Sequence, residues 1–271
     1  MLFFYKICYN SPMKKLFSII MLYIMAFLCI FLCGCTPQKP ITTVDKIREK
    51  GVLTVGVKFD SKPFGFVENG EIKGLDIDIA KKIAKNILDD ENKIEFVEVT
   101  SENRISKLMN EEIDIIVATM TDTQERRYLV DFSIPYYFSG QAILCKKDSA
   151  VKSAANLSNN NTVLVKGTTA EKTFRQYYRK SNVITVDTYK EGFETVKNNT
   201  NTCLIADEAI LQGFIMDNPD YQIFNKKLSQ EPYAIAMRKD EEPLKNIVDY
   251  TIKSLEMSGE LEQIKDKWIK K

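Results

Sequence analysis

The sequence predicts an α/β fold with mainly parallel sheets, and two observations lead to this prediction. Short strand-like runs alternate with runs of helical periodicity through almost all of the chain after residue 44. Several strand-like runs are nearly all apolar, such as residues 113–118 (IDIIVA) and 203–207 (CLIAD). Continuous apolar strands are typical of a sheet that is covered by helices on both faces.

The individual elements follow from hydrophobic periodicity. Strands are predicted at 51–58, 94–99, 113–118, 162–166, 183–186, 203–207 and 233–237. Helices are predicted at 76–88, 103–110, 170–179, 189–197, 209–216, 244–257 and 261–269. In the helix at 76–88, apolar side chains recur at helical spacing, so one face should be buried.

The composition excludes several function classes. The 271 residues include 38 Lys and Arg, 37 Asp and Glu and no histidine. Without histidine there can be no Ser-His-Asp or Cys-His nucleophile, no imidazole base and no zinc site that uses His. The near-zero net charge argues against a nucleic-acid partner. No glycine-rich phosphate loop occurs, and we expect no cofactor and no metal.

The first 34 residues have the plan of a secretory signal peptide. They contain three lysines and no acid, and residues 16–33 are apolar except for Ser18. A transmembrane anchor is the alternative, since about 18 apolar residues can just span a bilayer. Met13 is a more usual start for such a leader than Met1. The sequence Leu32-Cys33-Gly34-Cys35 resembles a bacterial lipobox, which implies that Cys35 is lipidated and followed by a tether at 35–44.

Two further cysteines, Cys145 and Cys203, lie in apolar strand-like runs. We interpret them as buried free thiols, with a disulfide as the alternative in an exported protein, because spacing cannot show that the sulfurs meet. Without residues 1–34 the chain has 35 basic and 37 acidic residues, a net charge of −2.

Isolated polar and charged residues follow the strands of the predicted sheets. In open α/β sheets ligands bind beyond the carboxyl ends of the strands, so these residues are candidates for a binding site. A surface salt bridge is the alternative for each. The candidates are Lys58, Arg104, Thr119, Thr121, Arg126 and Asp207. Acid pairs such as Asp76/Asp78 are interpreted instead as solvated surface.

Several ordered stretches carry a family resemblance. They are GLDIDIAKKIAKNI (74–87), ATMTDTQERR (118–127), VDFSIPYY (130–137), CLIAD (203–207) and KW (267–268). Together they resemble the polar amino-acid-binding proteins of bacterial ABC importers, the extracellular solute-binding proteins of family 3. The resemblance implies a two-lobed, type II periplasmic-binding-protein fold with two hinge strands. We expect lobe 1 at 45–138 plus 233–271, lobe 2 at 139–232, and lobe crossings near residues 139–147 and 230–233.

The resemblance also implies roles for individual residues. Arg126 resembles the clamp for the ligand α-carboxylate, with Thr121 beside it, and Asp207 the acid that binds the ligand ammonium. Thr168 and Thr169 precede a helix whose free N–H groups can meet the carboxylate from the second lobe.

Lys58 and Arg104 indicate what kind of ligand side chain is expected. The run GVKFD (56–60), with Arg104, is similar to aspartate and glutamate binders. Once Arg126 and Asp207 match the α groups, these two cations are left for a second carboxylate. With glutamine they would face a neutral amide in a closed site, at a cost of several kcal/mol. We therefore expect glutamate or aspartate, with glutamine or another polar amino acid as the alternative.

The expected function is capture of an amino acid by hinge closure, without catalysis. The chain would be a monomer, anchored by lipid on the outer face of the cell membrane, and would dock on an ABC permease. A cyclohexadienyl dehydratase-like enzyme on the same fold is a further alternative, because paired cations could also hold the carboxylates of its substrate.

Overall fold

The computed structural model describes residues 16, 18–25, 41–177, 182–224 and 228–269. The chain divides into two units, 1–41 and 42–271. In the first unit, residues 18–25 are helical and exposed. Of the helices described, none is long and apolar enough to cross a membrane. Cys35 and most of the predicted signal peptide lie outside the described residues, so cleavage and lipidation stay predictions.

The second unit contains two five-stranded sheets. The first sheet consists of β1 (Leu53–Val57), β5 (Ile94–Glu98), β6 (Ile115–Ile116), β7 (Asp131–Phe132) and β15 (Ala236–Met237). Its strand order is β5-β1-β6-β15-β7, and β1 runs parallel to both β5 and β6. Five helices belong to this sheet: α1 (Thr43–Lys50), α2 (Leu75–Leu88), α3 (Arg104–Met109), α7 (Glu242–Met257) and α8 (Glu260–Trp268). We call this assembly lobe 1.

The second sheet forms lobe 2 and consists of β9 (Gln141–Lys146), β10 (Asn161–Val165), β11 (Asn182–Val186), β12 (Thr202–Asp207) and β13 (Tyr221–Phe224). Its strand order is β11-β10-β12-β9-β13. Strand β10 runs parallel to β11 and β12, whereas β9 is antiparallel to β12 and β13. Its helices are α4 (Thr169–Tyr177), α5 (Tyr189–Asn198) and α6 (Glu208–Ile215).

Local sequence signals account for several of these elements. Thr42 with Asp45 and Thr188 with Glu191 form capping boxes that begin α1 and α5. In α2 the buried residues recur three and four positions apart and pack on lobe 1. The parallel strands of each sheet end at a common edge, which places the residues that follow them side by side.

Within the described residues, two small antiparallel sheets complete the unit. One joins β8 (Tyr137–Ser139) to β14 (Glu231–Tyr233), between the segments that form the two lobes. The other consists of β2 (Asp60–Ser61), β3 (Gly65–Glu68) and β4 (Glu71–Lys73). The sequence analysis missed this second sheet, because glycine, proline and charged residues interrupt any alternation there.

The α/β class and the two-lobed, type II arrangement with two hinge strands are confirmed. Two details differ from the expectation. The predicted strand at 233–237 is divided between β14 and β15, and residues 142–147, expected at a lobe crossing, lie mostly in β9 of lobe 2. The lobe limits at 138/139 and 232/233 stay a prediction.

The free-thiol interpretation of Cys145 and Cys203 is wrong. The two residues stand directly opposite each other in the antiparallel β9–β12 pair, with their Cα atoms 4.6 Å apart, and form a disulfide. Both are fully buried. A register between strands 58 residues apart decides the pairing, and residue spacing alone could not reveal it.

Candidate functional site

Lys58 follows β1 and is almost completely buried, with 1% of its surface exposed. Its Nζ donates a hydrogen bond to Ser101 Oγ over 2.9 Å and lies 5.2 Å from the centre of the Tyr189 ring of lobe 2. Burial lowers the pKa of Lys58 to about 8, with Asp60 acting in the opposite direction and Arg104 in the same one. Lys58 is therefore a buried cation held between the lobes.

Arg104, the first residue of α3, is also buried, with 2% of its surface exposed. Its Nη1 donates to the carbonyl oxygen of Ala118 over 2.7 Å. Within the described part of the chain, its buried Nε has no hydrogen-bond partner. Burial first, and then the nearby Arg126, lowers the pKa of Arg104 to about 9. An unused N–H of this kind can donate to a polar ligand.

Asp76 is fully buried, so its interpretation as a solvated surface acid is wrong. One carboxylate oxygen accepts a hydrogen bond from the Tyr136 hydroxyl at 2.8 Å, and the other accepts from the backbone N–H of Thr119 at 3.0 Å. Burial raises its pKa to about 6, although both hydrogen bonds and Arg104 act to lower it. The sequence did contain a signal, because Asp76 lies three, four and seven positions before buried apolar residues of α2.

Arg126 connects the two lobes. Its Nη1 donates to the Thr121 carbonyl at 2.8 Å and its Nη2 to the Gly167 carbonyl of lobe 2 at 3.0 Å. Gly167 has a φ of +71°, and a Cβ there would stand 2.7 Å from the Cα of Glu102. Only glycine allows the backbones to approach this closely. Burial lowers the pKa of Arg126, while Glu231 acts to raise it.

Asp207 ends β12, as predicted from the sequence, and is buried. The Tyr233 hydroxyl donates to its Oδ2 over 2.5 Å. Burial raises the pKa of Asp207 to about 7, and the negative charge of Glu231 acts in the same direction. A cationic partner would favour the ionised form of this buried carboxyl group, which suits an acid that is predicted to bind a ligand ammonium.

Glu231, which the sequence analysis missed, gathers three hydrogen bonds at the hinge. Thr169 Oγ1 donates to it at 2.9 Å, Gln141 Nε2 at 2.9 Å and Ser229 Oγ at 2.6 Å. Thr168 Oγ1 instead accepts from the backbone N–H of Glu171 at 3.1 Å and so caps α4. Both threonine hydroxyls therefore have protein partners.

The structure brings the predicted residues to one region between the lobes. Arg104 and Arg126 act to lower the pKa values of both Lys58 and Asp207. Thr121, Arg126, Thr168 and Thr169 line an open cavity of about 1020 Å³ to which both lobes contribute. Lys58, Arg104 and Asp207 are not among its lining residues. Thr119 contributes through its backbone contact to Asp76. Whether these side chains bind a ligand stays a prediction. Among the described residues, no group of three or more Cys, Asp or Glu could hold a metal ion.

Residues 53–271 match the family model of the bacterial extracellular solute-binding proteins, family 3. The chain belongs to this family. The glutamine-binding protein GlnH of a Bacillus subtilis ABC transporter is 39% identical over 268 residues, which cover 95% of this chain and 98% of that protein. A glutamine-binding protein of Geobacillus stearothermophilus is 44% identical over 201 residues, 73% of this chain and 77% of its own length. The glutamate/aspartate import protein of Escherichia coli is 31% identical over 241 residues, 84% of this chain and 80% of that protein.

Solved structures agree with the fold of this solute-binding protein. A cysteine-binding protein from Campylobacter jejuni superposes with a TM-score of 0.81 at 33% identity, covering 84% of this chain and 93% of that one. An ancestral amino-acid-binding protein, described as a precursor of cyclohexadienyl dehydratase, superposes with a TM-score of 0.78 at 32% identity, over 84% of this chain and all of that one. The family predicted from the sequence is therefore confirmed, and with it a role as an amino-acid-binding component of an ABC importer.

Proposed function

We propose that this protein captures glutamine between its lobes and delivers it to the permease of an ABC importer. The balance of buried charge around the site is the observation that carries the choice of ligand. The sequence analysis expected Lys58 and Arg104 to be unmatched cations, and this led to the prediction of an acidic ligand. Carboxylates act on both cations instead, Asp60 on Lys58 and the buried Asp76 and Asp207 on Arg104.

Each cation of the site region already has an acid that acts on it: Asp60 for Lys58, Asp76 and Asp207 for Arg104, and Glu231 for Arg126. A ligand with an α-carboxylate, an α-ammonium and a neutral amide adds no net charge to this set. An acidic amino acid adds one negative charge in a site closed to water, where an uncompensated charge costs several kcal/mol. The sequence relationships to proteins named for glutamine point the same way.

In the proposed complex, Arg126 holds the ligand α-carboxylate and Asp207 the ammonium. The amide of the ligand side chain is both donor and acceptor of hydrogen bonds. It can accept a hydrogen bond from Arg104 Nε, with Lys58 on the opposite side of the amide. Lobe 1 supplies three of these groups and lobe 2 supplies Asp207. Ligand therefore stabilises the closed arrangement, because only there do both sets of contacts exist.

Glutamate or aspartate is the second candidate. Arg104 Nε without a partner, and Lys58 beside it, are the observations that favour an acidic side chain. If such a ligand binds, a site carboxyl group must take up a proton to restore neutrality. Asp207, with a pKa of about 7, and Asp76, with a pKa of about 6, are the groups able to do so near neutral pH.

Calorimetric titration of ligand-stripped protein with glutamine, glutamate, aspartate, asparagine and arginine tests this choice. Glutamine should bind at least tenfold more tightly than glutamate at pH 7.5. Arg126→Met should reduce the affinity for every amino acid by 100-fold or more, as expected for the loss of a bidentate charged hydrogen bond. The exposed neighbour in the same turn provides the control, since Arg127→Met should leave binding unchanged. Tighter binding of glutamate than of glutamine would overturn the proposed ligand.

We extend the proposal to transport and location. The chain would have no catalytic activity, residues 1–34 would be removed on export, and Cys35 would carry lipid on the outer face of the membrane. Mass spectrometry of the purified membrane-bound form tests the anchor, since a diacylated N-terminal Cys35 peptide is expected. Release of CO2 from prephenate, in a protein that binds no amino acid, would favour the dehydratase alternative.

A further inference from the structure

A single peptide group connects the buried acid Asp76 with the buried cation Arg104. The N–H of this group, which belongs to Thr119, donates to Asp76 Oδ2 over 3.0 Å. Its carbonyl, which belongs to Ala118, accepts from Arg104 Nη1 over 2.7 Å. The acid and the base thus bind opposite ends of one peptide dipole, so each strengthens the hydrogen bond that the other makes.

The backbone at this peptide adopts a conformation that needs support. Thr119 has a φ of +45°, in the left-handed region. A β-branched residue rarely adopts such a φ, and surrounding contacts must hold it there. The Asp76 carboxylate supplies one of these contacts, because it fixes the direction of the Thr119 N–H. The direction of the Ala118 carbonyl follows, since both groups belong to the same planar unit.

Asp76 is itself held firmly. It occupies the second position of α2, is fully buried, and accepts the Tyr136 hydroxyl hydrogen bond on its other oxygen at 2.8 Å. The hydroxyl, the carboxylate, the peptide and the guanidinium form a continuous chain of hydrogen bonds across lobe 1. This chain ends at a side chain whose Nε is still free of any partner among the described residues.

We propose that Asp76 is a positioning residue, which sets the orientation of the Arg104 guanidinium through the 118–119 peptide and thereby determines ligand affinity and side-chain discrimination. The inference rests on the proposed function, in which Arg104 contacts the ligand side chain. Asp76 does not touch the ligand in this account. It acts through the peptide, and its charge is matched by a cation that it does not contact directly.

A double-mutant cycle tests the inference. Asp76→Asn keeps the shape of the side chain but removes its charge, and Arg104→Met removes the group that it orients. In the wild-type background, Asp76→Asn should weaken glutamine binding about tenfold and reduce the discrimination between glutamine and glutamate at least threefold. In the Arg104→Met background, the same substitution should change the affinity less than twofold. A purely structural role would reduce affinity equally in both backgrounds and for every ligand.

Two further variants make the result decisive. Asp78→Asn removes an acid two residues along the same helix, where the carboxylate binds Lys267 and Trp268 instead, and should leave binding and discrimination unchanged. If Asp76→Asn does not fold, Tyr136→Phe loosens the same carboxylate from its other side and should shift discrimination in the same direction. Additive effects in a protein that binds glutamine would overturn this inference alone. Failure of the wild-type protein to bind any amino acid would overturn the proposed function as well.

Discussion

The two lobes contribute different chemistry to the site and stabilise it in different ways. Lobe 1 supplies the cations Lys58, Arg104 and Arg126, each positioned by a hydrogen bond to a protein oxygen. Lobe 2 supplies one carboxylate, Asp207, and the carbonyl of Gly167. The three candidate cations of lobe 1 thus bond to oxygens of their own lobe, and Arg126 also donates to the Gly167 carbonyl of lobe 2.

The interiors of the lobes differ in the same sense. In lobe 1, Asp76 and Arg104 are buried and connected by the hydrogen bonds of one peptide. In lobe 2, a disulfide crosses from β9 to β12, and the strand it fixes ends at Asp207. A covalent link can hold a strand without placing any charge near the ligand. A lobe therefore need not carry buried charges in its core to present one at its edge.

Loss of the disulfide, which is present in lobe 2, should have the largest of the expected effects. Replacing Cys145 and Cys203 together by alanine should lower the free energy of unfolding by about 2–4 kcal/mol, because the link closes a loop of 58 residues in the unfolded chain. Chemical denaturation followed by circular dichroism measures this change. Reduction of the wild-type protein should reproduce the effect, and the double variant should no longer respond to reductant. Unchanged stability in the double variant would contradict a stabilising role of the disulfide.

Acidification should weaken ligand binding through Asp207, the candidate carboxylate of lobe 2. Burial raises its pKa to about 7, so ionised carboxylate is lost as the pH falls through 7. Because the ligand ammonium needs the ionised form, glutamine affinity should fall about tenfold between pH 8 and pH 6, at roughly one power of ten per unit below the pKa. The sign is opposite for the ligand-free protein, since protonation relieves a buried charge and should raise its Tm.

Titration calorimetry across this range, with Asp207→Asn as the reference, measures the effect. The variant should bind weakly at every pH and have a flatter profile than the wild type. Asp76 and Lys58 also titrate near this range and are common to both proteins, so the difference between the profiles belongs to Asp207. Parallel profiles for the two proteins would contradict the assignment of the ammonium to Asp207.

The smallest expected effect concerns closure itself. Asp60 of lobe 1 accepts hydrogen bonds from the backbone N–H groups of Tyr189 at 2.7 Å and Lys190 at 3.4 Å, at the start of α5 in lobe 2. A carboxylate at a helix N-terminus stabilises by about 0.3–1 kcal/mol. Asp60→Asn should therefore reduce the affinity for every ligand by a similar factor of about two to five, since it shifts the equilibrium between open and closed forms.

A nearby acid provides the matched control for Asp60. Asp187 also precedes α5, but it belongs to lobe 2 and pairs with Lys166 of the same lobe at 2.6 Å. Asp187→Asn removes the same charge from the same helix end without breaking a contact between lobes, so affinity should not change. Small-angle scattering of the ligand-free protein should show a larger mean radius for Asp60→Asn alone. A selective loss for one ligand would mean that Asp60 affects the site rather than closure.

The sequence by itself determined the fold class and the family, and it predicted candidate site residues after the strand ends. Periodicity is a local property, and the carboxyl ends of parallel strands share one edge, so Lys58, Arg104 and Asp207 could be placed without coordinates. The same local pattern would have placed Asp76 on the buried face of α2, had its helical spacing been weighed against its charge.

Only the tertiary structure decided which groups meet. The Cys145–Cys203 pairing depends on the register of two strands, and the indirect connection of Asp76 to Arg104 depends on a peptide in a third segment. Most consequential is the set of carboxylates around Lys58 and Arg104, which changed the expected ligand from an acidic amino acid to glutamine. Net charge at a site is a sum over neighbours in space, and those neighbours come from segments far apart in the chain.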